Sequence, residues 1–412
     1  MRLTDDDREM LGRLKTAESG LIGRTLSWCA VNSGSRNLAG LEATAERLAN
    51  AFEAVGRVER IALDPPEEVD ATGELRRCET GPCLRVAVRP EAPVQVVLTG
   101  HYDTVFPAAS GFDRVVERQD GALHGPGVAD MKGGLSVMLG ALEAFERHPL
   151  SRLVGWRVLL SPDEEIGSLG SAPELTRIAQ GAHVGLTFEP ALADGALASS
   201  RKGSGNFSVR AVGRAAHAGR DFASGRNAVA AAARIAMALD GLNGAREGVT
   251  INVARIDGGG PSNQVPDRAV VRFNVRTPDE DGRTWLEATI PDALAIGEGD
   301  GLTVDLHGGF TRPPKPINAA QQQLFDGVRE VAGLLDLPLS WKPSGGVCEG
   351  NNLFAAGLPN LDTLGVRGGD IHTTDEHAWP DSFLERASLS AVILAKLADG
   401  SLDARAIRAA MG

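Results

Sequence analysis

A chain of 412 residues has room for two or three domains of the usual size, roughly 100–200 residues each. With 42% hydrophobic and 23% charged residues it can bury a core, and its composition makes no case for disorder. A net charge of −12 argues against nonspecific binding to nucleic acid or to an anionic membrane. No apolar run reaches transmembrane length, and the opening M-R-L-T-D-D-D-R-E-M lacks the apolar stretch of a secretory signal. The four cysteines, Cys29, Cys78, Cys83 and Cys348, are too few for a disulfide framework and too scattered for a structural zinc site. Cys78 and Cys83 share a polar segment and are the pair placed to bond under oxidation. These features point to a cytoplasmic protein with reduced thiols.

In chain order, residues 18–56 read as two helices. In the second, Leu41, Ala45, Leu48, Phe52 and Val55 recur at three and four, and Gly56 closes it. Residues 58–63 suggest a strand, and 64–82, rich in Pro, Glu, Thr and Gly, an exposed excursion. Strands are expected at 84–88 and 94–99, a helix over 135–145, a strand at 158–161, a helix over 172–180 and a strand at 184–188. That alternation predicts a parallel or mixed sheet with helices on its faces.

From Gly203 the texture changes. Phe207, Val209 and Ala211 alternate with polar residues, as do Val249, Ile251 and Val253, then Val271, Phe273 and Val275. With helices over 227–239 and 282–296 and a strand at 302–306, the order is βαββαβ, the split ferredoxin-like motif. Residues 203–310 are thus expected to form an inserted domain. After Pro313, Pro314 and Pro316 the α/β pattern resumes, with a helix over 321–335, a strand at 361–364 and a helix over 382–397.

Metal-type side chains recur where predicted strands end or glycine loops begin: His101 and Asp103, Asp130, Glu164 and Glu165, Glu189, and His372. Taken singly, each has an ordinary explanation. An acidic pair after a strand commonly starts a helix, and an Asp between glycines commonly sits in a turn. Glu189 is less ordinary, because a carboxylate buried beside a strand is costly unless paired or metal-bound. Together they supply two imidazoles and several carboxylates, an N/O set that suits catalytic zinc. Neither glycine signature of a nucleotide-binding turn is present.

The stretches G-H-Y-D-T-V, G-P-G-V-A-D-M-K-G-G, S-P-D-E-E-I-G-S, T-F-E-P, R-A-A-H-A-G and H-T-T-D-E resemble, in order, the di-zinc exopeptidase and aminoacylase family. Within it the likeness is to the carboxypeptidase G-type glutamate carboxypeptidases, relatives of acetylornithine deacetylase and succinyl-diaminopimelate desuccinylase. The resemblance implies an α/β catalytic domain (1–202 and 311–412) carrying an inserted ferredoxin-like lid and dimerisation domain (203–310). It implies two Zn²⁺ per chain, with Co²⁺ able to substitute. His101 and Glu189 would bind one ion, Glu165 and His372 the other, and Asp130 would bridge them. Asp103 would orient His101, and Glu164 would be the general base. It further implies a cis peptide after Asp130.

His217, in R-A-A-H-A-G, would reach the neighbouring subunit's active site and stabilise the oxyanion, so a homodimer paired through the lid domains is implied. Asn263, Arg276, Arg312 and Gly346 match positions that bind substrate. The glycine loop at 344–346 departs from the family pattern, since it continues with Cys348 and Glu349 where an Asp is usual. The implied reaction is hydrolysis of an amide bond beside a free carboxylate. Small peptides and N-acyl amino acids are the implied substrates, with deacylation or di- and tripeptide cleavage as alternatives within the family. A non-catalytic ligand-binding relative is the alternative of another class.

Overall fold

The computed structural model describes residues 1–411, which pack as two compact units. The first comprises residues 1–64, 80–200 and 316–412, the second residues 65–79 and 201–315.

The first unit is built on a six-stranded mixed sheet. Its order is Val58–Ile61, Cys83–Val88, Val154–Ser161, Val94–His101, Val184–Thr187 and Asn360–Leu361. The first two pairings are antiparallel and the remaining three parallel. Val94–His101 lies in the interior, buried along nearly its whole length, as its run of β-branched residues requires. Its two faces enter different cores. Val96 and Leu98 pack with the helices Lys132–Phe145 and Asp381–Asp399. Val97 packs with Leu159, with Leu175 and Ile178 of Ala172–Ala179, and with Leu353 of Glu349–Ala355. Helices therefore cover both faces, and the parallel strands all run toward one rim. This strand extends two residues beyond the expected 94–99, so His101 belongs to the sheet itself.

In the second unit a four-stranded antiparallel sheet has the order Thr250–Gly258, Arg268–Thr277, Gly203–Val212, Thr303–Arg312. With the helices Ala228–Asp240 and Glu280–Ala295 this is the split βαββαβ arrangement. The last strand is longer than expected and ends on Arg312.

Three local expectations need correction. Residues 64–82 are not simply an excursion: Glu67–Val69 and Leu75–Arg77 pair as a hairpin. The hairpin is tied to the second unit's sheet, because Arg272 Nη2 donates to the Val69 carbonyl and Arg268 pairs with Glu74. The chain also begins with an unforeseen helix, Asp5–Thr16, set by a capping box in which Thr4 and Asp7 satisfy each other's backbone N–H groups. A short helix, Ala404–Ala409, follows the last one expected. All four cysteines are free thiols.

Candidate metal centre

Backbone topology assembles this site at the carboxyl rim of the parallel strands, where open α/β sheets bind ligands. His101 ends its own strand, Glu164–Ile166 form a single 3₁₀ turn after Val154–Ser161, and Glu189 follows Val184–Thr187. Asp130 comes from the loop that opens the helix Lys132–Phe145, and His372 from a loop near the C-terminal end, at φ +65°. The Asp130–Met131 peptide is cis, as the resemblance implies.

Asp130 lies between the two histidines. Its Oδ1 is 3.1 Å from His101 Nε2, and its Oδ2 is 3.3 Å from His372 Nε2. Each imidazole then meets a second carboxylate: Glu189 Oε2 lies 3.7 Å from His101 Nε2, and Glu165 Oε2 lies 3.2 Å from His372 Nε2. Ligand atoms of His101, Asp130 and Glu165 lie within 4.8 Å of one another, as do those of His101, Glu164 and Glu189. On the far side of its ring, His101 Nδ1–H donates to the Asp103 carbonyl at 3.1 Å, with the Asp103 carboxylate at 3.3 Å. That fixes the tautomer and turns the Nε2 lone pair toward Asp130.

Asp103 does more than face His101. Its buried carboxylate accepts from the backbone N–H groups of Glu164 (3.1 Å) and Glu165 (3.2 Å) and from Ser35 Oγ (2.7 Å). The same carboxylate thus holds the turn that presents both glutamates. Lys132, also buried, ties the first turn of its helix to the carbonyls of Trp28 and Val31.

So many acidic groups in one buried place compete for protons. Burial, reinforced by Asp130, pushes the Glu165 carboxyl up to about 8. Burial likewise raises Glu189 to about 7, although His101 opposes it. Burial also works to raise Asp130, but its hydrogen bonds to His101 and His372 win and leave it lowered. Hydrogen bonds to Asp130 and Glu165 push His372 up to about 11. Burial would lower His101, but Glu189, Asp103 and Asp130 outweigh it and leave it well above the ordinary value. A cation would take over the role of those protons. Glu189 Oε1 is buried and has no hydrogen-bond partner among the described residues, which is the condition of a ligand oxygen. Two imidazoles, the exposed His372 and the buried His101, and three carboxylates whose side chains are withdrawn from solvent fit divalent ions of the zinc and cobalt type.

Beside the site, loops 34–37 and 104–109 and the Glu165–Ile166 turn enclose a cleft of about 600 Å³. Its walls include Ser35, Val105, Pro107 and Ala108, and Glu165 belongs to both the cleft and the metal centre. The loop holding Pro107 and Ala108 is anchored at each end by buried rings, Phe106 and Phe112, packed edge to face at 4.9 Å.

Of the remaining sequence-derived positions, Gly346 is an exposed residue of the first unit. It lies between the strand Trp341–Ser344 and the helix Glu349–Ala355. The departure that follows it is internal: Cys348 caps that helix, and Glu349, fully buried, bonds Ser161 at the end of the strand leading to Glu164. His217, Asn263, Arg276 and Arg312 belong to the second unit. There the Ala218 N–H donates to the Asn263 carbonyl, so His217 and Asn263 are neighbours. His217 is exposed and its Nδ1 accepts from the N–H groups of Gly219 (3.1 Å) and Arg220 (3.2 Å). This leaves Nε2 as the protonated, donating nitrogen. Arg276 lies on Arg268–Thr277 opposite Ser204 and Thr250, and Arg312 is buried opposite Ser204. Sequence reasoning missed the supporting groups Ser35, Lys132 and Glu376. The available signal was the row of N–H groups in the glycine loop before Asp130, which must find acceptors somewhere.

Residues 97–396 match the family model described as Peptidase family M20/M25/M40. Carboxypeptidase G2 of Pseudomonas sp. (strain RS-16) is 25% identical over 286 residues, 68% of this chain and 68% of its own length. Succinyl-diaminopimelate desuccinylase of Rhodospirillum rubrum is 30% identical over 274 residues, 59% of this chain and 66% of its own length. The matched stretch thus spans about two thirds of each of these curated relatives. Among solved structures, a tripeptidase from Staphylococcus aureus superposes with a TM-score of 0.70 at 24% identity, covering 93% of this chain and 99% of that one. An M20 family metallo-carboxypeptidase from Sulfolobus solfataricus gives 0.69 at 15%, covering 91% and 98%. These two similarities speak to the fold alone. The family match extends over most of the chain and contains every side chain of the rim site, and the protein belongs to peptidase family M20/M25/M40, as a metallopeptidase or amidohydrolase acting on C–N bonds.

Proposed function

We propose that the protein is a two-zinc hydrolase that cleaves an amide bond beside a free carboxylate, in the manner of a glutamate carboxypeptidase. The observation that carries this is Asp130, whose two oxygens face two different histidines, each backed by a further carboxylate. His101 and Glu189 would hold one ion, His372 and Glu165 the other, and Asp130 both. When bound, such a pair supplies Lewis acidity toward a carbonyl and lowers the pKa of water.

The chain's own residues do the rest. Glu164, beside the ligands and itself braced through its backbone by Asp103, takes the proton from the attacking water. It then returns that proton to the departing amine. His217, with its donating Nε2–H, stabilises the oxyanion that develops on the scissile carbonyl. Arg276 or Arg312 holds the substrate's carboxylate with the two-pronged geometry of a guanidinium, Asn263 and Gly346 line the substrate, and the cleft beside Glu165 receives an adjoining apolar group.

Homodimerisation through the second unit is part of the proposal. Its support is the edge strand Thr250–Gly258 with Ile256 exposed, and the exposed Phe222 and Met237. A cytoplasmic location accords with the free thiols and with no helix among the described residues being long and apolar enough to cross a membrane. The similarity to desuccinylases favours a second reading, removal of an acyl group from an N-acyl amino acid.

The test combines metal, base and substrate. Purified protein should hold up to two zinc ions per chain, lose activity to a chelator and recover it with Zn²⁺ or Co²⁺. Glu164→Gln should cut turnover by about 10²–10⁴-fold, the range of general acid–base catalysis, with metal content unchanged. Full activity without metal would sink the proposal, and loss of metal in the variant would reverse base and ligand. A panel of folyl-glutamate, N-acyl amino acids and short peptides separates the two readings. Amidating the substrate's carboxylate should abolish cleavage under the first.

A further inference from the structure

Glu376 closes the stretch H-T-T-D-E that begins at His372, and it is fully buried. Its carboxylate accepts three backbone N–H groups from the loop that leads to the helix Lys132–Phe145. Oε1 receives those of Ala129 and Asp130, and Oε2 that of Gly127, each at 2.9 Å. The Glu376 carbonyl accepts the Gly125 N–H at 3.1 Å, and His124 Nε2 bonds the Thr374 carbonyl at 2.8 Å. A short pairing of His377 with His124 continues the seam. Two loops far apart in sequence, one carrying Asp130 and the other His372, are thus fastened together with Glu376 at the centre.

The seam calls for a carboxylate. Residues 125–130 belong to no helix or strand, so their amides lack the partners that repeating structure provides, and buried N–H groups require acceptors. A carboxylate offers two oxygens with room for several donors. A glutamine in its place keeps one oxygen and confronts at least one N–H with its own NH₂. An aspartate is one methylene short. We propose that Glu376 is a positioning residue of the metal centre: by gathering the amides of Gly127, Ala129 and Asp130, it sets the direction in which Asp130 presents its oxygens to His101 and His372. It acts through Asp130, and the inference rests on reading Asp130 and His372 as metal ligands.

The experiment is a zinc titration of the full chain against a chromophoric chelator, paired with visible spectra of the Co²⁺-loaded protein. Wild-type protein that binds no zinc would overturn the metal reading and this inference with it. If the wild type binds, folded Glu376→Gln should lose zinc affinity by about 10–100-fold, the usual effect of removing a partner that orients a ligand. Its Co²⁺ bands should shift, its circular dichroism should stay unchanged, and Glu376→Asp should move the same way. Wild-type affinity and spectrum in folded Glu376→Gln would overturn the role of Glu376 alone. Hydrogen exchange on the wild type covers the case of variants that do not fold. The amides of Gly127, Ala129 and Asp130 should be protected in both zinc-loaded and zinc-stripped protein. Exchange at exposed-loop rates after stripping would mean that the ion, not Glu376, orders the loop, and would equally overturn the proposal.

Discussion

Buried carboxylates in this protein are held by backbone N–H groups as much as by opposite charge. Asp103 gathers the amides of Glu164 and Glu165, Glu376 those of Gly127, Ala129 and Asp130, and Asp163 those of Gly170 and Ser171. In each case the acid organises an irregular turn next to the candidate site, where no repeating structure would. Asp7 is the contrasting case, a buried acid paired with a cation: Lys396 Nζ donates to it at 2.8 Å and also to Asp399 at 2.9 Å. Burial alone would raise the Asp7 carboxyl, but Lys396 and Thr4 together hold it below the usual range. A folded-state pKa below the unfolded value of about 3.9 means that the stabilisation is complete above that pH. It is lost as pH falls through the folded value. Asp7→Asn should therefore destabilise the protein at pH 7 by roughly 2–3 kcal/mol, less than the ~3–5 kcal/mol of a broken isolated buried pair, since Asp399 still serves Lys396. Urea denaturation should show the deficit shrinking toward pH 3. A deficit constant with pH would exclude the ion pair as its source.

Among the elements, the helix Lys132–Phe145 matters most to the site, because its entry carries Asp130 and its first turn lies against the end of the strand before Glu189. Gly134 makes that approach possible: a Cβ there would fall 2.0 Å from the Phe188 carbonyl oxygen. In an unhindered helix, Gly to Ala gains about 0.8–1 kcal/mol. Here overpacking should dominate, so Gly134→Ala should cost roughly 1–3 kcal/mol and weaken zinc binding by prising Asp130 from Glu189. Chemical denaturation and a zinc competition titration would read both effects, and a stabilised variant with unchanged zinc affinity would contradict this packing argument. The hairpin of Glu67–Val69 and Leu75–Arg77 shows how composition misleads at this scale. Its Pro- and Glu-rich sequence reads as solvated loop, yet Arg272 and Arg268 tether it to the sheet of the second unit.

For the whole molecule, the proposed mechanism draws on residues of both units. Glu164 belongs to the first unit and His217 to the second. If the protein is a dimer in which His217 serves the partner's site, the contact is isologous and creates two composite sites. Mixing inactive His217→Ala chains with inactive Glu164→Gln chains, and allowing subunits to exchange, should then restore activity. Random pairing makes about half the dimers mixed, each with one intact site of two, so about a quarter of wild-type turnover is expected. A mixture that stays inactive despite verified exchange would place His217 and Glu164 in the service of the same chain's site. Arg312→Ala should chiefly raise KM, as loss of a carboxylate clamp does.

Local pattern was enough to read the alternation of strands and helices, the change of texture near Gly203 and the five stretches that carry the candidate ligands. Strand burial, helical periodicity and strand-end chemistry are all written within a few neighbouring residues. The split βαββαβ order was legible for the same reason. Other features depended on partners distant along the chain. The first helix begins on a capping box of Thr4 and Asp7 that carries no apolar signal, and its buried Asp7 finds Lys396 from near the other end of the chain. Glu376 stood in plain view in H-T-T-D-E, but nothing nearby in sequence reveals that its acceptors' partners are the amides of Gly127, Ala129 and Asp130. The sequence by itself determined which side chains were available for metal chemistry and at which strand ends and loops they stand. Only the tertiary structure decided how they are aimed, because aim is set by backbone amides and buried acids that meet solely when the chain has closed upon itself.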